Sequence, residues 1–296
     1  MATAVKVSRD RPKPVSNGGK RLKSALAEAI DAGRIGGRLW FYTNYHCNLA
    51  CRYCLTSSAP DVPRRMLDRR IIDAIADQAV TLGFRSFGVT GGEPFMRTDM
   101  AEMLASLGRR LPTVVLTNGT LFTDRLIASL APLTSLPVDV QISLDSADGA
   151  ANDAVRGAGG FDSVVRAVPR LAAAGIHVRI GSTVDGGDLH ALERLCAFHR
   201  ELGVSEDDHV VRPIIRRGRA WSTAIGVAVS FEDLPAELTL TAEGAFWSPA
   251  APSVTDGVPD VDYLLTRTVC PLAVPAQAMV RTAHANPMRE PALRVT

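Results

Sequence analysis

The chain has 296 residues, and its 33 basic and 31 acidic side chains leave a formal net charge of +2. This near balance argues against a dedicated nucleic-acid-binding protein, which would carry a strong basic excess. Hydrophobic residues make up 46% of the sequence, enough for a large core, but no apolar run is long enough to cross a membrane. The first residues, MATAVKVSRDRPKP, lack the apolar segment of a secretory signal, so we expect a cytoplasmic protein with reduced thiols.

Beyond a polar, basic stretch over residues 1–19, which predicts a flexible tail, the sequence alternates between β-prone and helical runs. A predicted helix, LKSALAEAIDAG, comes first. Six predicted strands then follow in the order RLWFYTNYHC, FRSFGVTGG, TVVLTNG, PVDVQISLD, IHVRIGSTV and HVVRPII. An amphipathic helical run separates each of these strands from the next.

Strands and helices that alternate in this way indicate right-handed βαβ units and a parallel sheet. The six units predict an α/β fold with a partial (β/α)6 barrel of the TIM type over residues 20–216, and a doubly wound sheet is the alternative. Residues 217–296 break the rhythm and are expected to form a small C-terminal extension that packs on the barrel. We expect the tryptophans Trp40, Trp221 and Trp247 to be packing residues.

Three of the five cysteines lie in the short stretch HCNLACRYC, directly after the first predicted strand. Cys47, Cys51 and Cys54 have the spacing C-x3-C-x2-C, and thiolates at this density bind zinc or an iron–sulfur cluster. A structural zinc site needs a fourth ligand, and the adjacent His46 would be a cramped one. Three thiolates on a 4Fe–4S cluster leave one iron open, so the spacing favours a cluster with an exchangeable position.

The loop CNLACRYC resembles the signature loop of the radical S-adenosylmethionine (radical SAM) enzymes. Three more motifs match this family in order, each at the carboxyl end of a predicted strand: VTGGEPFMR, TNG and SLDSADGAANDAVRGAGGF. Each motif alone would be weak, but four in order are specific, and the match extends through about residue 215. The chain looks like the branch that contains enzymes of molybdenum-cofactor, haem-d1, pyrroloquinoline quinone and peptide maturation.

This resemblance implies a role for each motif. Cys47, Cys51 and Cys54 would hold three irons of one 4Fe–4S cluster, while the amino and carboxylate groups of S-adenosylmethionine (SAM) would chelate the fourth. The residues expected to bind SAM are Tyr53, Gly91, Gly92, Glu93, Asn118, Ser143, Arg156 and Arg212.

Several of these residues have plainer interpretations that stay open at this point. The two glycines and Asn118 could belong to ordinary turns. Arg156 could be a surface residue. Arg212 and the run RRGR that follows it could line the adenosine pocket, clamp an acidic substrate or form a solvated face.

The family chemistry implied is reductive cleavage of SAM to methionine and a 5′-deoxyadenosyl radical, which abstracts hydrogen from a substrate. That substrate would be a small molecule or a peptide, and the electron donor a flavodoxin or ferredoxin, with no nucleic acid or membrane as partner. Residues 217–296 contain a single cysteine, Cys270, so no auxiliary cluster is expected. The alternatives are a non-catalytic iron–sulfur electron carrier or sensor and a zinc-binding structural module.

Overall fold

A computed structural model describes residues 17–186 and 189–286, so residues 1–16 of the predicted tail lie outside the described residues. The helices are α1 (Asn17–Asp31), α2 (Arg69–Leu82), α3 (Met100–Gly108), α4 (Asp124–Ser129), α5 (Gly149–Arg156), α6 (Gly160–Ala173), α7 (Leu189–Glu201), α8 (Arg219–Ser222) and α9 (Ala273–Ala285). The strands are β1 (Arg38–Tyr42), β2 (Ser86–Thr90), β3 (Thr113–Thr117), β4 (Val138–Ser143), β5 (His177–Val184), β6 (His209–Pro213), β7 (Thr239–Leu240), β8 (Ala245–Phe246), β9 (Val254–Thr255), β10 (Val258–Pro259) and β11 (Leu264–Thr266). In these ranges no helix combines the length and apolar character that a membrane crossing requires.

Strands β1 to β6 lie side by side in chain order, and each pair of neighbours is parallel. Helices connect every one of these strands to the next, as the alternating sequence pattern predicts. The predicted partial (β/α)6 barrel is therefore confirmed. Its parallel strands bring all six carboxyl ends to the same edge of the sheet.

Helix α2 shows why the local sequence folds as it does. The Asp68 side chain accepts a hydrogen bond from the backbone N–H of Arg70 at 2.7 Å and so begins the helix. Gly83 ends it in a left-handed conformation, with φ of 99°. Between these signals, the apolar side chains on one face of the helix are buried in the core against the sheet: Ile72, Ile75, Ala76, Ala79 and Leu82.

Strand β1 separates the core from the barrel interior by simple alternation. Leu39 and Phe41 point into the hydrophobic core, whereas Trp40 and Tyr42 line a cavity inside the barrel. Gly88 on β2 leaves room for the indole ring, because a Cβ at that position would overlap Trp40. This packing brings large aromatic side chains to the cavity wall.

The segment after residue 216 continues the barrel sheet instead of standing apart from it. Strand β7 pairs in parallel with β1, and β8 and β11 add antiparallel strands beyond it. Trp247 is buried and stacks on Phe231 with ring centroids 4.8 Å apart, as expected of a packing residue. Trp221 is different, because 71% of its surface is exposed. It lies on the one-turn helix α8, where Ala220 is the buried residue, so the expectation that Trp221 is a packing residue is wrong.

Candidate active site

A cavity of about 280 Å³ lies at the carboxyl ends of the parallel strands. All three cysteines of the loop after β1 line it. Of the residues expected to bind SAM, all but Glu93 also line it: Tyr53, Gly91, Gly92, Asn118, Ser143, Arg156 and Arg212. The fold therefore collects motifs that are spread over more than half of the sequence into one concave site.

Cys47 is the most buried of the three loop cysteines, and hydrogen-bond donors surround its sulfur. The backbone N–H of Leu49 lies 3.4 Å from Sγ, and the side-chain amide of Asn118 lies 3.6 Å from it. Burial raises the pKa of the Cys47 thiol to about 12. A bound metal would be needed to make this thiol a thiolate at neutral pH, and the donors then stabilise the charged sulfur.

The thiols of Cys51 and Cys54 face other parts of the chain. Cys51 donates from Sγ to the carbonyl oxygen of Arg156 at 3.5 Å, and burial raises the pKa of its thiol. The sulfur of Cys54 lies 3.4 Å from the hydroxyl of Thr56. No group of three His, Cys, Asp or Glu side chains within residues 17–186 and 189–286 is arranged to hold a single metal ion.

Glycines bring the turn after β2 against the chain that leads into the cysteine loop. Gly91 has φ of 144°, and a Cβ there would overlap the backbone oxygen of Asn44. A Cβ on Gly92 would overlap the carbonyl oxygen of His46. The N–H of Gly92 donates to the Asn44 oxygen at 3.0 Å, so the close approach is also hydrogen-bonded. Both glycines are thus required by contact between two backbones beside Cys47.

Glu93 is fully buried, and three donors from the chain occupy its carboxylate. Oε1 accepts from the N–H of Phe95 at 2.9 Å and from the Thr117 hydroxyl at 2.8 Å. Oε2 accepts from the N–H of Asn118 at 2.8 Å. Burial raises the pKa of this carboxyl, and the hydrogen bonds from Asn118, Phe95 and Thr117 oppose the rise. Glu93 therefore joins the turn after β2 to the turn after β3, and the structure does not bring it to the cavity wall.

Asn118 carries this connection on to the cysteine loop. Its side-chain amide donates to the Asn48 oxygen at 2.9 Å, and its own oxygen accepts from the N–H of Thr120 at 2.9 Å. The side chain is 7% exposed and lies on the cavity wall. The TNG turn is therefore more than a connection between strand and helix, because its amide donates to both Cys47 and Asn48 of the cysteine loop.

A buried network of charges anchors the other side of the loop. Arg156 and Asp145 form an ion pair with 3.1 Å between Nη1 and Oδ2, and their side chains are 8% and 5% exposed. The Tyr53 hydroxyl donates to Asp145 and accepts from Arg156. The second oxygen of Asp145 accepts from the N–H of Thr183 at 2.8 Å. Burial raises the pKa of Tyr53, which keeps the phenol protonated as a donor.

This network decides against the interpretation of Arg156 as a surface residue, because Arg156 is buried. Its guanidinium is paired with Asp145 while still lining the cavity. Asp145 was not among the expected site residues. Its position in the SLD segment at the end of β4 was the available signal, since ligand sites form at strand ends.

Arg212 lies on the cavity wall near other charged side chains, two arginines and one glutamate. Its Nε atom is buried and has no hydrogen-bond partner among the described residues. Burial, together with Arg38 and Arg179, lowers the pKa of Arg212 to about 10, while Glu237 opposes this shift. Glu237 itself accepts a hydrogen bond from the indole of Trp40. Glu237 was not among the predicted site residues, because it lies in the extension, outside the motifs.

A partial barrel with three cysteines after β1 and a glycine turn after β2 defines a recognisable class of protein. The family model of the radical SAM superfamily matches residues 41–197. The chain belongs to the radical SAM superfamily, a family of enzymes, as the motifs predict. Membership implies an iron–sulfur cluster and SAM as cofactors.

Curated relatives of this chain belong to the predicted branch of the superfamily. The mycofactocin maturase MftC of Mycolicibacterium smegmatis is 35% identical over 179 residues, which cover 60% of this chain and 45% of the relative. The AdoMet-dependent heme synthase of Nitratidesulfovibrio vulgaris is 31% identical over 53% of this chain and 43% of its own length. A GTP 3',8-cyclase of Rhodopseudomonas palustris is 32% identical over 47% and 41%. The chain thus spans less than half the length of these relatives.

Solved structures support the same fold. Streptococcus suis SuiB bound to S-adenosylmethionine matches with a TM-score of 0.54 and 21% identity, over 66% of this chain and 45% of that one. SuiB bound to its precursor peptide SuiA matches with a TM-score of 0.53 and 18% identity, over 73% and 49%. At these identities the likeness concerns the fold alone.

The Asp145 network leads to a first prediction. The substitution Asp145→Asn removes the charge that balances buried Arg156, so the free energy of unfolding should fall by about 2–4 kcal/mol. Anaerobic urea denaturation of the metal-free protein measures this change. The control is Asp124→Asn, which breaks an ion pair with Arg170 in which the Asp124 side chain is 99% exposed. We expect no measurable loss there, and equal losses in both variants would contradict the buried network.

Proposed function

We propose that this chain is the barrel of a radical SAM enzyme in which Cys47, Cys51 and Cys54 hold one 4Fe–4S cluster. The observation that carries the proposal is that all three thiols share one cavity with the turns after β2 and β3 and with Ser143 at the end of β4. When bound, the cluster supplies one electron for cleavage of SAM to methionine and a 5′-deoxyadenosyl radical, which abstracts hydrogen from the substrate. The proposed reductant is a flavodoxin or ferredoxin, and the proposed compartment is the cytoplasm.

The donors around the cysteine loop fit such a cluster. Three thiols from one loop leave an iron of a four-iron cluster free of protein ligands. The N–H of Leu49 and the amide of Asn118 point at the Cys47 sulfur, and hydrogen bonds to ligating sulfur tune both thiolate charge and reduction potential. Cys270 lies elsewhere, exposed and beside Gln78 of α2, so we propose a single cluster within this chain.

For SAM we propose contacts from the cavity wall and an indirect role for Glu93. The wall residues available to SAM are Tyr53, Gly91, Gly92, Asn118, Ser143, Arg156 and Arg212. Glu93 would act without contacting SAM, because its carboxylate already accepts hydrogen bonds from three donors of the chain. Its negative charge would still lie close to the ammonium group of a bound methionine moiety, and in a buried site that proximity is favourable.

For the substrate we propose a peptide, with a small molecule as the alternative. Two similarities favour the peptide: one relative is named as a maturase, and a fold neighbour was solved with a precursor peptide. The cavity wall beyond the cysteine loop is largely apolar and includes Trp40, Tyr42, Leu116 and Ile214. Such a wall suits an apolar side chain and excludes water from a radical reaction. We also propose that residues 20–216 form the barrel and that residues 217–296 form its extension. Within residues 217–286, which the structure describes, the extension would close the β1 side of the barrel.

The test of this function is anaerobic reconstitution with iron and sulfide, followed by dithionite and SAM. We expect a brown protein that absorbs near roughly 400 nm and releases 5′-deoxyadenosine. A colourless protein that retains zinc would support the structural zinc module instead. A brown protein that never cleaves SAM would support the electron carrier or sensor.

Substitutions of the five cysteines test the ligand assignment. Cys47→Ala, Cys51→Ala and Cys54→Ala should each abolish stable cluster binding and SAM cleavage, because two thiolates cannot hold a site-differentiated cluster. Cys196→Ala and Cys270→Ala are the controls and should retain both properties. Iron and sulfide analysis of the five variants decides the matter, and iron loss on changing Cys270 would overturn the assignment.

Glu93→Gln separates charge from shape at the buried turn. A glutamine can still accept hydrogen bonds at one position, but its NH2 group opposes a donor at the other and its negative charge is gone. SAM affinity should therefore fall by roughly tenfold, because the negative charge that favours the nearby ammonium group is lost. Equilibrium dialysis against SAM measures the dissociation constant at equal iron loading. Glu102→Gln, an exposed change on α3, is the control, and an unchanged affinity in Glu93→Gln would leave this residue only a structural role.

A further inference from the structure

The cysteine loop, residues 47–62, contains no helix or strand, and distant parts of the chain supply much of its bonding. Within the loop, the N–H of Cys54 donates to the Cys51 oxygen and the N–H of Ser57 donates to the Cys54 oxygen, both at 3.1 Å. Ser57 has φ of 56°, a conformation that costs free energy in a residue other than glycine. A strained, irregular loop keeps one shape only when its surroundings impose it.

Arg219 imposes much of that shape through its guanidinium. Nη1 donates to the carbonyl oxygen of Cys51 at 2.5 Å. Nη2 donates to the oxygens of Ser57 and Ser58 at 3.0 and 2.9 Å. The backbone N–H of Arg219 adds a fourth bond, to the Cys54 oxygen at 2.9 Å. One residue thus binds four carbonyls of the loop, two of them on proposed cluster ligands.

Gly218 allows the backbone before Arg219 to lie directly against the cysteine loop. It adopts φ of 53°, and a Cβ there would overlap the carbonyl group of Leu55 in the cysteine loop. Only a glycine lets the backbone come this close in this conformation. The N–H of Arg219 can therefore reach the Cys54 oxygen directly.

The neighbouring arginines bind elsewhere. Arg216 donates to the oxygen of Gly226 at 2.7 Å, and Arg217 donates to the oxygen of Ala251 at 3.1 Å. The guanidinium of Arg219 donates to the cysteine loop, so it is not available to clamp an acidic substrate. Such a clamp was one open interpretation of the RRGR run. Arg216 also donates from its guanidinium to a backbone oxygen, but that oxygen lies outside the cysteine loop, so Arg216 is a matched control for Arg219.

We propose that Gly218 and Arg219 form a clasp that holds the cysteine loop in its cluster-binding shape, with Arg219 as a positioning residue. The inference rests on the proposed cluster site and deepens it. It makes the segment after residue 216 part of the cluster site, so a division of the chain at 216 separates the clasp from the loop that it holds. The fixed positive charge beside Cys51 also favours the more negative, reduced form of a bound cluster.

Three measurements on full-length protein test the clasp, one of them without any cluster. In the metal-free protein, hydrogen exchange in peptides covering residues 47–62 should be roughly tenfold faster in Arg219→Ala than in the wild type. In the reconstituted protein, transfer of iron to a ferrous chelator should accelerate by a similar factor, and the reduction potential should become more negative. Arg216→Ala is the control and should change none of the three.

Arg219→Lys separates charge from hydrogen bonding. An ammonium group keeps the positive charge but lacks the rigid fork that reaches several carbonyls. We therefore expect a reduction potential near that of the wild type with exchange and iron release still accelerated. This variant also serves if Arg219→Ala does not fold.

Wild-type exchange and iron release in both Arg219 variants would overturn the clasp. Equal acceleration in Arg216→Ala would overturn it as well, since the effect would then belong to the whole segment. Failure of the wild type to bind any cluster would defeat the proposed function, while the exchange comparison would still report on the clasp.

Discussion

The cysteine loop has to keep three thiols in one arrangement without regular secondary structure of its own, and much of the site depends on meeting this constraint. Hydrogen bonds from three directions meet it. The Asn118 amide donates from the turn after β3, the Val155 oxygen at the end of α5 accepts from the N–H of Arg52, and Arg219 donates from the segment after β6. The hairpin of β9 and β10 adds a bond from the N–H of Val254 to the oxygen of Thr56. The barrel therefore acts as a frame whose strand ends hold one irregular loop.

Two buried carboxylates also join neighbouring strand ends of the barrel. Glu93 joins the turns after β2 and β3, and Asp145 joins the end of β4 to β5, to α5 and to the loop through Tyr53. Buried carboxylates are costly unless donors surround them, and each of these has at least three. Neighbouring strand ends are thereby coupled, so that a change in one turn would shift the next.

The extension completes the cavity as well as the sheet. Pro249 accepts a hydrogen bond from the hydroxyl of Tyr42 at 2.8 Å, and Glu237 accepts from Trp40, so both aromatic side chains of β1 in the cavity are oriented from beyond residue 216. The matched segments of the curated relatives cover 60% and 53% of this chain, and these relatives are more than twice as long as the matched part.

Local patterns in the sequence were sufficient for the barrel and for the cysteine, glycine and asparagine motifs. Hydrophobic periodicity, glycine stops and thiol spacing are local properties, so they predict β1 to β6, the connecting helices and the place of Cys47, Cys51 and Cys54 without knowledge of the fold. Strand ends meet at one edge in any parallel sheet, which also places Asn118 near the loop. The exposure of Trp221 was missed, since aromatic character alone says nothing about which side of a one-turn helix faces solvent.

The partners of the charged residues were decided only by the tertiary structure. Tyr53 and Asp145 are separated by 92 positions, and Arg219 and Cys51 by 168. No local pattern records such a pairing, because an arginine that binds a loop carbonyl, a ligand or water looks the same in sequence. The partner of an arginine depends on which groups packing brings within reach of its guanidinium. For that reason Arg156 is paired with Asp145, and Arg219 donates hydrogen bonds to the cysteine loop.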